Sequence, residues 1–79
     1  MNSRMINSTR LSKIFTQRYY IEPGGLSGWT FRKEGSDNII KRNKHKLLLI
    51  TFANSYCSAH NTELAICDEN GLLQEIKKF

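Results

Sequence analysis

The order of apolar and polar residues changes once along the chain, at a Pro-Gly-Gly break at residues 23–25. Before the break, apolar residues recur at the three-to-four-residue spacing of an amphipathic helix, at Leu11, Ile14, Phe15 and Tyr19. This pattern predicts a helix over residues 8–20. Asn7 can cap it, and the break ends it because proline lacks the N–H that a helix needs. Residues 1–7 are then a basic N-terminal arm.

After the break the period changes to two. Trp29 and Phe31 alternate with polar residues, which predicts a half-buried strand, and the turn residues 35–37 separate it from a second strand that begins at Ile39. The continuous apolar run Leu47 to Phe52 predicts a central strand, followed by a loop to Asn61. Residues 63–67 predict a further strand.

The C-terminal segment fits two structures. Asn70-Gly71 is a strong hairpin signal, which would pair residues 63–67 with 72–78. Leu72, Ile76 and Phe79 would equally share one face of a helix. The hairpin is favoured because its turn chemistry is the more specific signal.

Together these elements predict the α+β class, as a single domain over residues 1–79. One N-terminal amphipathic helix packs on a small antiparallel sheet of three to five strands, and residues 28–79 are mostly antiparallel β. The apolar faces of the elements predict a shared core of Leu11, Phe15, Trp29, Phe31, Leu48, Ile50, Leu64 and Ile66.

Charge is divided unequally along the 79 residues, which carry a net charge of +5. Residues 1–46 contain ten Lys and Arg against three acids, whereas residues 47–76 contain four acids and no Lys or Arg. Such a chain can present a basic region to an anionic partner. Alternatively, the two halves lie side by side and neutralise each other.

The predicted strands over residues 29–46 combine basic side chains with nearby aromatic ones. Lys and Arg neutralise phosphates, and aromatic rings such as Trp29 and Phe31 can stack on unpaired bases. The alternative is that the aromatic residues form the core. The predicted nucleic-acid interface consists of Arg32, Lys33, Lys41, Arg42, Lys44 and Lys46.

Metal binding and catalysis have weaker signals. Cys57 and His60 have the spacing of half a zinc knuckle, but Cys67 and His45, which would complete the site, are scattered. Asp37 with His45, or Cys57 with His60, could be named as catalytic pairs, although neither lies in a recognisable motif. We therefore expect no metal, no cofactor and no enzymatic activity.

Two functions remain. The first is a small basic module that binds nucleic acid through residues 29–46. The alternative is a protein-interaction module without catalytic activity, such as an inhibitor or adaptor encoded by a phage or other mobile element, which would bind an acidic protein surface. The sequence does not fix the oligomeric state, and a small-molecule ligand is not expected.

Two cysteines are too few for a disulfide framework, and no apolar run is long enough to span a bilayer. This favours a protein with free thiols in the reducing cytoplasm and no membrane partner. Residues 1–20 hold four basic residues, no acid and many Ser, Asn and Thr residues, which is also the composition of an organelle transit peptide.

Overall fold

The structure is a computed structural model that describes residues 17–79. These residues form five strands and one α-helix, with a short 3-10 turn at Gly25–Ser27. In chain order the elements are β1 (Arg18–Pro23), β2 (Trp29–Lys33), β3 (Ile39–Asn43), α1 (Lys46–His60), β4 (Glu63–Cys67) and β5 (Leu73–Lys78).

The five strands form one mixed sheet in the order β3-β2-β1-β4-β5. β1 lies at its centre, antiparallel to β2 and parallel to β4. A parallel pair needs a crossover connection, and α1 is part of it, carrying the chain from β3 at one edge back to β4. α1 packs on one face of the sheet, called here the covered face; the other is the open face.

The prediction of an N-terminal helix on an antiparallel sheet was wrong, although the α+β class holds. Residues 18–20 belong to β1, residues 8–16 lie outside the described residues, and the helix of the structure is α1 in the C-terminal half. In β1, Tyr19 and Ile21 are buried and alternate with Tyr20 and Glu22, which are only partly buried. Tyr19 therefore begins a period-two pattern, and its helical spacing from Phe15 was misleading.

The predicted central strand at residues 47–52 was also wrong, since this run is the first half of α1. The predicted loop that followed is the second half of the same helix. Leu49, Ala53 and Cys57 are buried at intervals of four residues, which is the spacing of a helix face. A short apolar run alone does not distinguish a buried strand from a buried helix. The small residues Ala53 and Cys57 continue the apolar face of the helix, but they were not counted as apolar positions.

The two predicted hairpins are confirmed. β2 pairs antiparallel with β3, and β4 pairs antiparallel with β5, which decides the C-terminal segment in favour of a strand. In the β4–β5 turn, Asp68 Oδ1 accepts hydrogen bonds from the N–H groups of Asn70 and Leu72, at 2.8 and 3.0 Å. An aspartate in this position stabilises the turn locally, without help from the rest of the fold.

The core lies between the covered face and α1. Phe31 is completely buried, and its ring centroid lies 5.3–5.8 Å from those of Tyr19, Phe52 and Tyr56. Ile21, Leu49 and Leu64 are also at most 1% exposed. The list of predicted core residues lacked Tyr19, Ile21 and Leu49, whose elements were assigned wrongly.

Of the predicted core, Phe31, Leu64 and Ile66 are buried together, and Trp29 and Ile50 pack against them partly buried. Leu48 is 57% exposed, so its prediction was wrong. Leu11 and Phe15 lie outside the described residues. Within residues 17–79, no helix has the length and apolar character needed to cross a membrane.

The neighbouring leucines 48 and 49 test the helical assignment. Leu49→Ala is expected to lower the free energy of unfolding by about 2–5 kcal/mol because it leaves a cavity beneath α1. Leu48→Ala, at an exposed position of the same helix, should change it by about 0.5 kcal/mol or less. Urea unfolding of both variants measures the difference, and a larger cost for Leu48→Ala would contradict the helix.

Candidate nucleic-acid interface

The six predicted interface residues are divided between the two faces of the sheet. In β3, Lys41 Nζ lies 5.0 Å from the ring centroid of Phe52 in α1, which places it on the covered side. Arg42 follows it, is exposed and pairs with Thr30 across β2 and β3, so it belongs to the open face. In β2, Arg32 lies on the open face and Lys33 on the covered face.

Arg32 is neutralised within the fold. Its Nε donates a hydrogen bond to Glu22 Oε2 on the adjacent strand, and its guanidinium carbon lies 5.6 Å from the ring centroid of Tyr20. Arg18 donates two hydrogen bonds to Glu63 Oε1, at 2.9 and 3.0 Å. These two arginines therefore serve to join strands across the open face.

The remaining cations follow β3 and the adjoining end of the sheet, where Lys46 reaches across to Gln74 of β5. Lys41, Arg42, Lys44 and Lys46 extend from β3 through the following turn to the start of α1, and we call this set the cationic edge. Within residues 17–79, none of the four has a carboxylate oxygen within 4.0 Å. Residues 1–16 contain no Asp or Glu, so they hold no side-chain carboxylate that could neutralise the edge. Lys33 stands apart, at the opposite end of β2.

Aromatic rings position two of these lysines. Lys46 Nζ lies 4.5 Å from the ring centroid of Trp29 and donates a hydrogen bond of 2.9 Å to Gln74 Oε1. Lys41 lies over Phe52 as described above. A ring attracts an ammonium group through its quadrupole but carries no net charge, so neither contact offsets a lysine's charge as an ion pair with a carboxylate would.

A close backbone approach positions Lys44. Gly28 has a φ of 88°, and a Cβ there would lie 2.6 Å from Lys44 Cα and 2.9 Å from the carbonyl oxygen of Asn43. On the other side, Asn43 Oδ1 accepts a hydrogen bond of 2.8 Å from the N–H of His45. The turn that carries Lys44 is thus held by the loop between β1 and β2.

The aromatic residues near the cationic edge do not form a stacking platform. Phe31 and Tyr19 are buried, and burial raises the pKa of Tyr19 to about 12, with a further contribution from the hydroxyl of Tyr56. Trp29 is partly buried beneath Lys46. These three rings belong to the core or its border, which is the alternative that the sequence left open.

The candidate metal ligands are not brought together. His45 and His60 lie at opposite ends of the fifteen-residue α1, about 22 Å apart at the rise of a helix. Cys57 is buried against the sheet, while the ring of His60 stacks on Tyr56 with centroids 4.4 Å apart. Across residues 17–79, no three His, Cys, Asp or Glu side chains are grouped as metal ligands would be.

The candidate catalytic pairs are not assembled either. Asp37 precedes β3 and His45 follows it, so the length of the five-residue strand, about 17 Å, separates them. Cys57 faces the core whereas His60 is exposed. His60 Nδ1 lies 2.6 Å from the carbonyl oxygen of Tyr56, one turn earlier in the same helix.

Both thiols are buried and free. Burial raises the pKa of Cys57 and of Cys67, and the nearby carboxylates of Glu22 and Asp68 raise that of Cys67 further. Their thiolate forms, which are the reactive ones, are therefore suppressed at neutral pH.

Comparison with known proteins gives no match: no family model fits the sequence, and neither a curated protein nor a solved structure resembles it significantly. The function is therefore inferred from the residues of the chain alone.

The buried thiols lead to a prediction on reactivity. In the native protein, Cys57 and Cys67 should react with a disulfide reagent at pH 8 about a hundredfold more slowly than in urea, because reaction needs local opening. Ser58→Cys places a thiol at an exposed position of the same helix and serves as the fast-reacting control. Native thiols that react as fast as this control would contradict their burial.

The raised thiol pKa values also give a direction for stability at alkaline pH. The folded state favours the neutral thiols, so this contribution is fully present below the unfolded pKa of about 8.5 and is lost as pH rises through the higher folded values. Replacing both cysteines with alanine should flatten the alkaline decline in the free energy of unfolding. If the decline is unchanged in this variant, groups other than the two cysteines cause it.

The approach of Gly28 to Lys44 leads to a further prediction. Gly28→Ala and Gly35→Ala both place a Cβ at a positive φ, 88° and 82°, which costs about 1–2 kcal/mol. A Cβ on Gly35 meets no atom within 4 Å, whereas one on Gly28 collides with the backbone of Lys44. Thermal unfolding should therefore show a lower melting temperature for Gly28→Ala, and equal melting temperatures would contradict the contact.

Proposed function

We propose that this protein binds nucleic acid through the phosphate backbone, with the cationic edge as its contact surface. The observation that supports the proposal is the group of four cations along β3 and the adjoining end of the sheet, without a carboxylate within 4.0 Å in residues 17–79. Lysine and arginine side chains that neutralise phosphates release condensed counterions, and this release supplies most of the free energy of non-specific binding.

The arrangement favours contacts with phosphates over contacts with bases. Lys41 and Arg42 project to opposite sides of an edge strand, and Lys44 and Lys46 continue around its end, so the charge follows a curved rim. The neighbouring aromatic rings of residues 17–79 are occupied in the core or beneath Lys46, so this part of the chain leaves none at the edge for base stacking. We therefore expect binding with little dependence on base sequence.

Arg32 has no direct part in this proposal. Its pairing with Glu22 means that a phosphate would have to displace a carboxylate already in place. The proposed interface therefore consists of the four residues of the cationic edge rather than the six predicted from the sequence. Lys33 can add long-range attraction from the far end of β2.

A specific observation favours the alternative, a protein-interaction module. Exposed leucines lie in the loops and element starts at one end of the sheet, beside Lys44 and Lys46: Leu26, Leu47, Leu48, Leu72 and Leu73, with exposed fractions of 102, 76, 57, 64 and 58%. Exposed apolar residues bordered by cations are typical of a contact with an acidic protein surface. Neither function needs a catalytic group, and two buried free thiols are compatible with the cytoplasm.

The test measures affinity for mixed-sequence duplex DNA and RNA at several salt concentrations. Arg42→Gln with Lys44→Gln, both exposed and without a carboxylate partner, should weaken binding to any sequence. The slope of log K against log salt should fall by about 1.8 on duplex DNA if both side chains contact phosphates.

The matched control, Lys33→Gln with Lys78→Gln, removes the same charge outside the cationic edge and should keep most of that slope. Equal losses in the two double variants would show that net charge alone drives binding. Absence of binding by the unaltered protein at low salt would reject the nucleic-acid function and favour the protein-interaction module.

A further inference from the structure

The edge strand opposite β3 has a different character. Among residues 17–79, β5 pairs only with β4, and nearly all of it is exposed. The N–H of Phe79 donates to the carbonyl oxygen of Thr62, so alternate residues before it also bond towards β4. The backbone N–H and C=O of Ile76 and Lys78 therefore point outward, where residues 17–79 provide no neighbouring strand.

The side chains of β5 divide between the two faces in a fixed way. Glu75 pairs with Ile66 and Lys77 with Leu64, both buried residues of the covered face, and Lys77 Nζ lies 3.4 Å from Asn54 Oδ1 of α1. Ile76 pairs with Ala65 on the open face and is 40% exposed. Glu75 has no cation within 4.0 Å among the described residues.

We propose that this edge binds a second copy of the same chain, by antiparallel pairing of β5 with β5 around a two-fold axis at Ile76. In this register Ile76 lies opposite its own copy and exchanges two N–H···O bonds with it. Glu75 lies opposite Lys77 of the other copy, and the symmetry repeats this ion pair. Directly opposed charges of unlike sign stabilise a strand pair.

Neighbouring symmetric registers are disfavoured by the sequence of β5 itself. An axis at Glu75 places two glutamates opposite each other, and an axis at Lys77 or Lys78 opposes two lysines. An axis at Gln74 places Leu73 opposite Glu75 and forms no ion pair. Since like charges directly opposed destabilise a strand pair, the register centred on Ile76 is selected. It joins two five-stranded sheets into one of ten strands, with both α1 helices on the same face.

The experiment measures the oligomeric state of the 79-residue chain by sedimentation velocity over a wide range of concentration, without nucleic acid. The unaltered chain should form a dimer. Glu75→Lys and Lys77→Glu each replace two attractions with two repulsions, so each variant should weaken dimerisation about tenfold or more. Glu69→Lys, the same change of charge in the β4–β5 turn, should leave it unaltered.

Mixing the two weakened variants is the most decisive experiment. One then carries only lysines and the other only glutamates at positions 75 and 77, so a heterodimer should form although neither variant pairs with itself. Circular dichroism of each variant establishes that it is folded. A monomer at all concentrations, single variants that still dimerise, or folded variants that fail to associate when mixed would each overturn the proposal.

Discussion

β1 and β4 run parallel at the centre of the sheet, so the chain has to return from one end of the sheet to the other between β3 and β4. α1 makes this return along the covered face, and the residues that it covers form the core. Phe31 stacks on Tyr19 of β1 and contacts Phe52 and Tyr56 of α1 edge-on, so a single ring joins the sheet to the crossover. The strand order that results from this crossover also determines where the charged side chains lie.

The parts of the fold that the sequence predicts are local. Turn chemistry at Gly35 and at Asn70-Gly71 acts over a few residues, and both hairpins form where the signals predict. The parallel pairing of β1 with β4 joins residues more than forty positions apart, as in the pair Arg18 and Glu63. A contact between residues so far apart leaves no local pattern in the sequence. For this reason residues 18–20 were assigned to a helix and residues 47–52 to a strand.

The same distinction applies to the candidate site. The sequence identifies the basic segment, and strand alternation, a local property, divides Arg32 from Lys33. The sequence does not identify the pairing of Arg32 with Glu22, because Glu22 belongs to a strand that had been assigned to the end of a helix and its break. Distinguishing the paired Arg32 from the four unpaired cations of the cationic edge required the register of β1 against β2.

The two edge strands, β3 and β5, differ in how their charges affect pairing with another strand. β3 carries Lys41 and Arg42 and no acid, so self-pairing in any register gives no ion pair across the strands, and its charge repels a second copy. The same charge attracts a polyanion. β5 carries Glu75 and Lys77 with one residue between them, so its charges complement those of a reversed copy of itself.

Self-association through β5 would place the two β3 strands, with Lys41 and Arg42, at the far edges of a ten-stranded sheet, about 43 Å apart at the usual strand spacing. This separation exceeds the Debye length of about 8 Å at physiological ionic strength, so the two edges would repel each other weakly. A long nucleic acid that reached both edges would be held by two sites, and the second contact would form at a high effective concentration. The acid in β5 and its absence from β3 thus suit the two proposed roles, pairing of β5 with a second copy and contact of β3 with an anionic partner.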